Sequence, residues 1–108
     1  MVKSVRLQDR MNGNIHLNLW AGLEDNGDFT INGMDLGSRD SDGDRSEYEW
    51  TVTVSRENVP ALARLLGSLP DEDVLETVER KWVKVEGEGL DKLIRESDVP
   101  SELEMYIR

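Results

Sequence analysis

Between Glu47 and Val54 the chain alternates without a fault. Tyr48, Trp50, Val52 and Val54 interleave with Glu47, Glu49, Thr51 and Thr53. A period of two belongs to a β-strand with one buried face and one wet face; a helix would scatter these residues around its axis. Two stretches upstream repeat the pattern. Ile15, Leu17 and Leu19 alternate with His16, Asn18 and Trp20, and Phe29 and Ile31 alternate with Thr30 and Asn32. Asp25-Asn26-Gly27-Asp28 separates those two, and Asn12-Gly13 precedes the first. Asn and Gly tolerate the positive φ that tight hairpin turns demand. Two such turns in series predict a meander that pairs residues 4–11 with 14–23 and 14–23 with 28–36. Val5 and Leu7 alternate with Arg6 and Gln8, which reads either as a short first strand or as an extended lead-in.

Gly33 and Gly37 bracket Met34-Asp35-Leu36, a spacing that predicts a bulge or tight turn near a strand end. Ser38 to Arg45 is a polar loop of Ser, Asp, Gly and Arg, and the next strand is expected from about Ser46. Ser55 ends that strand and is placed to cap the element after it.

The second half changes period. Asn58-Val59-Pro60 predicts a helix start, because Asn caps and Pro is tolerated in a first turn. Val59, Leu62, Leu65 and Leu66 fall on one helical face, and Gly67 is placed to end it. A second helix is expected to open at Ser68-Leu69-Pro70-Asp71 and to bury Val74, Leu75, Val78 and Trp82. Its acids, Asp71, Glu72 and Asp73, come first, and its bases, Arg80, Lys81 and Lys84, come last. The helix macrodipole explains that order without any function. Glu86-Gly87-Glu88-Gly89 breaks the chain, and Leu90, Leu93 and Ile94 mark a short third helix. Val99-Pro100 then leads into Leu103, Met105 and Ile107, which alternate with Glu102, Glu104 and Tyr106 as a final edge strand.

These elements predict an α+β fold: an antiparallel meander of four or five strands with two or three helices packed on one face. At 108 residues, positions 1–108 read as a single domain with a modest core of its own. If helices cover Tyr48, Trp50, Val52 and Val54, then Glu47, Glu49 and Thr51 lie on the open face, and His16, Asn18 and Trp20 join them there.

The net charge of −10 comes from 23 acidic residues spread along the whole chain. Such a surface favours solubility and a basic partner steered in by the field. It disfavours nucleic acid, which needs clustered Lys and Arg; Arg80, Lys81 and Lys84 are ringed by Glu76, Glu79 and Glu86. No apolar run approaches the ~20 residues a membrane helix needs. The first six residues hold no apolar segment, so no secretory leader is expected and a cytoplasmic location is. With no cysteine, disulfide and thiolate chemistry are excluded.

Chemistry-bearing motifs are few. Ser38, Asp40, Asp42, Gly43 and Glu49 fall at positions 1, 3, 5, 6 and 12 of a calcium-loop template. Ser stands where Asp is preferred, no helix precedes the loop, Arg45 would face the cation, and Glu49 belongs to a strand. A solvated turn is the simpler account, and Asp40, Asp42 and Glu49 remain a weak metal-binding or hydrolytic alternative. His16 has no partner evident in sequence, and no Ser sits in a nucleophile-elbow context. No cofactor and no catalytic residue is expected, and the chain reads as a non-enzyme.

Gly33-Met34-Asp35-Leu36-Gly37, followed by Ser46-Glu47-Tyr48-Glu49-Trp50 and its apolar strand, resembles a group of small uncharacterised bacterial proteins. They carry a comparable "DLG…EYEW" signature between a leading hairpin and a helical second half. The resemblance covers about half the chain. It implies a bacterial cytoplasmic domain and brings no activity, cofactor or catalytic residue with it. The function expected is a protein-binding module with an acidic surface, a toxin-neutralising immunity protein being one concrete form. Trp20, His16, Asn18, Glu47, Glu49 and Thr51 are its candidate binding residues. Self-association through the open sheet or the C-terminal edge strand is a third expectation.

Overall fold

Alternation and turn chemistry give the sheet. In a computed structural model of the chain, which describes residues 3–13, 15–39 and 45–107, β1 (Lys3–Asn12), β2 (Ile15–Leu23), β3 (Phe29–Arg39), β4 (Arg45–Val54) and β5 (Glu102–Ile107) form one antiparallel sheet. Their order is β1-β2-β3-β4-β5. Residues 3–12 therefore belong to the sheet, which resolves the two readings of the N-terminal segment. The first turn holds Gly13 at φ 64° and the second holds Gly27 at φ 93°, both in the region Gly occupies without strain.

Register decides the faces. Phe29 lies opposite Val54, Ile31 opposite Val52 and Gly33 opposite Trp50; across β2, Ala21 lies opposite Ile31 and Leu19 opposite Gly33. These side chains point to one side, where α1 (Val59–Leu66), α2 (Val74–Trp82) and α3 (Leu90–Arg95) pack. Ala21, Phe29, Ile31 and Val54 from the sheet and Leu62, Leu66, Val78 and Ile94 from the helices are all fully buried. Burying each large apolar side chain contributes about 1.5–3 kcal/mol.

β1 is not regular. Its pairing with β2 slips between Arg6 and Gln8, leaving Leu7 as the extra residue of a bulge. Leu7 turns into the core at 4% exposure. The slip puts Arg6 opposite Trp20, on the far side of the sheet. A regular ladder continued from Gln8 would have set Arg6 opposite Ala21, in the core.

Gly33 differs from expectation. It sits in unbroken register, and a Cβ there would fall inside the indole of Trp50. Its role is to let the Trp50 ring lie on the backbone, not to make a turn. Gly37 does mark an irregularity, since the β3–β4 register shifts between Leu36 and Arg39.

The helix starts also need correction. Asn58 makes no side-chain cap: a 3-10 turn over Arg56–Asn58 precedes α1, and the Asn58 amide donates to Ser55 Oγ at 3.0 Å. Pro60 sits in the first turn of α1, and Gly67 ends it at φ 80°. α2 begins at Val74, later than Ser68, because Asp73 and Glu76 form a capping box: Glu76 N–H donates to Asp73 Oδ1 at 2.8 Å and Asp73 N–H to Glu76 Oε1 at 3.0 Å. Ser68 is already engaged, its N–H on the Ala63 carbonyl and its hydroxyl 2.6 Å from Thr77 Oγ1.

The helical layer is shorter than the sheet. α1 and α3, of eight and six residues, span roughly 9–12 Å, whereas strands of nine to eleven residues span about 30–37 Å. The helices thus cover the Ala21–Phe29–Val54 end. At the other end Ile15, on the same side, stays 42% exposed. No helix among the described residues is long and apolar enough to cross a membrane.

Candidate functional site

The face away from the helices carries every residue expected there. Row by row across the strands, Arg6, Trp20, Asn32, Thr51 and Glu104 align. Asp9, Asn18, Met34, Glu49 and Tyr106 form the next row, and Met11, His16, Leu36 and Glu47 the one after. Trp20, His16, Asn18, Glu47, Glu49 and Thr51 therefore share one side of one sheet. Trp20, His16 and Thr51 belong to hydrogen-bonding or ring-stacking arrangements that distance in sequence had concealed.

Trp20 does not stand bare beside acids. The Arg6 guanidinium lies over its ring at 5.1 Å, a cation–π contact made available by the β1 bulge. Arg6 Nη1 also donates to Asp9 Oδ2 at 2.9 Å, and Asp9 Oδ1 lies 2.6 Å from His16 Nε2. His16 thus has a partner seven residues away, across the first hairpin. The bond with His16, reinforced by Arg6, holds the Asp9 carboxyl below its ordinary range. Asn18 is only 7% exposed and offers little surface to a partner.

The middle of the face is neutral. Thr51 Oγ1 donates to Asn32 Oδ1 at 2.8 Å, and Thr30 Oγ1 donates to Glu24 Oε1 at 3.3 Å. Met34 and Leu36 stand half-buried beside them. The far side is anionic. Glu47 and Glu49 lie toward one end of β4, Glu102 and Glu104 of β5 lie opposite Thr53 and Thr51, Glu49 lies opposite Tyr106, and Tyr106 O–H donates to Glu104 Oε2 at 2.7 Å. That bond, the Glu104 charge and the nearby Glu49 charge push the Tyr106 phenol above its usual range. The acidic half is therefore separated from Trp20 by the width of β3, about 10 Å for two strand spacings. The face is split by charge rather than uniformly acidic.

Sequence reasoning missed Arg6, Asp9, Asn32, Glu104 and Tyr106 as members of this face. The Asn12-Gly13 turn could have set Asp9 beside β2, but nothing local signals the bulge that brings Arg6 onto Trp20.

Asp40, Asp42 and Gly43 of the calcium-loop pattern lie outside the described residues. Among the described residues no three His, Asp or Glu side chains converge in a way that could hold a metal ion. The open face thus carries an array of hydrogen-bonding groups, one Trp–Arg cation–π pair and a carboxylate-rich margin. No family model matches this chain, and neither a curated protein nor a solved structure is significantly similar to it.

Proposed function

We propose that this chain is a non-enzymatic bacterial domain that captures a basic protein on the open face of its sheet. A toxin-neutralising immunity protein is the concrete form. The observation that carries this reading is the asymmetry of the sheet. One face is packed by helices; the other is bare and gathers Glu47, Glu49, Glu102 and Glu104 on two adjacent strands. The strands hold the backbone of these acidic residues in a fixed array, so no backbone ordering is needed when a cationic surface meets them. Trp20 under Arg6 gives the opposite margin an aromatic anchor, of the kind enriched at interface hot spots. A net charge of −10 steers a basic partner toward the molecule and suits inhibition of a basic nuclease.

The test is co-expression with the proteins encoded beside its gene, then titration calorimetry of the basic one that co-purifies. Glu47→Lys with Glu49→Lys is expected to weaken that affinity by roughly 10–100-fold, more at low salt, with little change in melting temperature. Unchanged affinity in the double variant removes this face from the proposal.

A further inference from the structure

The two edges of the sheet are treated differently. An edge strand presents unpaired N–H and C=O groups, and proteins guard it with bulges, Lys, Arg and inward charges. β1 is guarded in this way: it carries the Leu7 bulge and the charges Lys3, Arg6, Asp9 and Arg10. β5 has no bulge, and its only charges among residues 102–107, Glu102 and Glu104, lie on the open face. Its register against β4 runs unbroken from Glu102 opposite Thr53 to Ile107 opposite Tyr48. On the helical side it exposes Leu103 at 41% and Met105 at 52%, beside a cleft that Tyr48 and Trp50 line with Asp91 and Arg95 of α3. α3 and Tyr48, whose hydroxyl donates to Met105 Sδ at 3.6 Å, cover this strip only in part, so about half of each apolar side chain still faces solvent.

We propose that β5 pairs antiparallel with β5 of a second copy across a two-fold axis, joining two five-stranded sheets into one of ten strands. The sequence of the strand selects both occupant and register. A two-fold normal to the sheet keeps like faces together, so Leu103 and Met105 of both copies stay on the helical side. Centring the axis on Met105 sets Met105 opposite Met105, Leu103 opposite Ile107 and Glu104 opposite Tyr106. Centring it on Glu104 gives a pairing of equal length but sets two carboxylates face to face, which is destabilising. The Met105 register avoids this and replaces it with a hydroxyl–carboxylate pair. The Tyr106 hydroxyl already bonds Glu104 at 2.7 Å along its own strand, so it is turned toward that row. The β5 edge is therefore complementary to itself in one register.

This edge shares Glu102 and Glu104 with the open-face docking site but buries the apolar strip on the helical side, and the two associations respond oppositely to salt. Two copies of charge −10 repel, so the dimer tightens as salt screens them. Capture of a basic protein weakens instead. The interface is small, so sedimentation equilibrium of the full chain is read over about 10–500 µM at low and high salt. The expected mass climbs from 12.3 kDa toward twice that value, at lower concentration in high salt. Met105→Lys, at a half-exposed position, is expected to stay monomeric with an unchanged circular-dichroism melt, because it sets two ammonium groups opposite each other. The chain has no cysteine, so Met105→Cys reports the register directly. Directly opposite Cα atoms lie about 4.5–5.5 Å apart, within disulfide reach, whereas two residues at position 104 would lie beyond about 7 Å. Mild oxidation is expected to cross-link Met105→Cys and to leave Glu104→Cys largely uncross-linked. A monomer across the whole range, a dimer that Met105→Lys leaves intact, or faster cross-linking at 104 than at 105 overturns the proposal. A chain that remains monomeric but takes up a separate strand-forming peptide on β5 overturns it equally.

Discussion

Single atoms decide several outcomes in this molecule. At Gly33 the missing Cβ is what lets the Trp50 indole lie on β3, and Trp50 in turn packs against the core. Gly33→Ala forces the ring or the strand to move; a cost of about 1–3 kcal/mol is expected by urea unfolding, with no change in the face the open side presents. Glu72 is the second such residue. Its carboxylate accepts Arg80 Nε and Nη2 at 2.8 Å each, the Leu69 N–H at 3.0 Å and the Thr77 hydroxyl at 2.8 Å. Arg80 first, then the Leu69 N–H and Thr77, working against partial burial, bring its pKa down to about 2. Because the folded value lies below the ordinary carboxylate one, the stabilisation is present above about pH 4.5 and is lost as pH falls toward 2. Glu72→Gln is therefore expected to lower the melting temperature at pH 7, and the gap to the wild type should close as pH is taken from 4.5 to 2. A gap that stays constant over that window would show that geometry rather than charge is at work.

At the scale of elements, the helices are stabilised from outside themselves. Lys81 Nζ donates to the Leu66 carbonyl at 2.7 Å and Arg80 Nη2 to the Gly67 carbonyl at 3.2 Å, so bases of α2 satisfy the C-terminal end of α1. Asp28 does likewise for the turn before α1, accepting the Arg56 N–H at 2.9 Å and so tying the second hairpin to the helical layer. α2 relies on Asp73, which also takes Lys3 Nζ at 3.0 Å and thereby links the helix start to β1. Asp73→Ala removes the cap; a loss of about 1 kcal/mol is expected, with α2 amides of Leu75 and Glu76 losing hydrogen-exchange protection first. The α2 start was hard to place from sequence because Ser68 and Asp73 both precede acidic residues. Tertiary use of Ser68 by Thr77 and by the end of α1 decided between them.

For the whole molecule, the arrangement is a long sheet with a short helical cover, extending 52 Å in its longest direction and about 25 Å in the others. Two kinds of free surface result. One is the polar face, open because all three helices pack on the other side of the sheet; the other is the half-exposed strip along β5. The open-face proposal depends on charge and weakens with salt, and the edge proposal depends on apolar area and strengthens with it. The acidic composition visible in the sequence bears on both but does not distinguish them.

What the sequence determined by itself is everything carried by neighbours in the chain. The period of two in Glu47–Val54 and in β2 and β3 assigned inward and outward faces, and the Asn-Gly pairs assigned the turns and hence the meander. Gly67 placed a helix end. These signals are local because side-chain direction in a strand, and φ in a turn, depend on only a few consecutive residues. The tertiary structure decided what depends on register between distant segments. One extra residue, Leu7, moved Arg6 from the core side onto Trp20; Asp9 met His16 only across a hairpin; and Gly33 met Trp50 only across a strand pair. A shift of a single residue inverts such contacts, and no stretch of sequence records that shift until the strands are laid side by side.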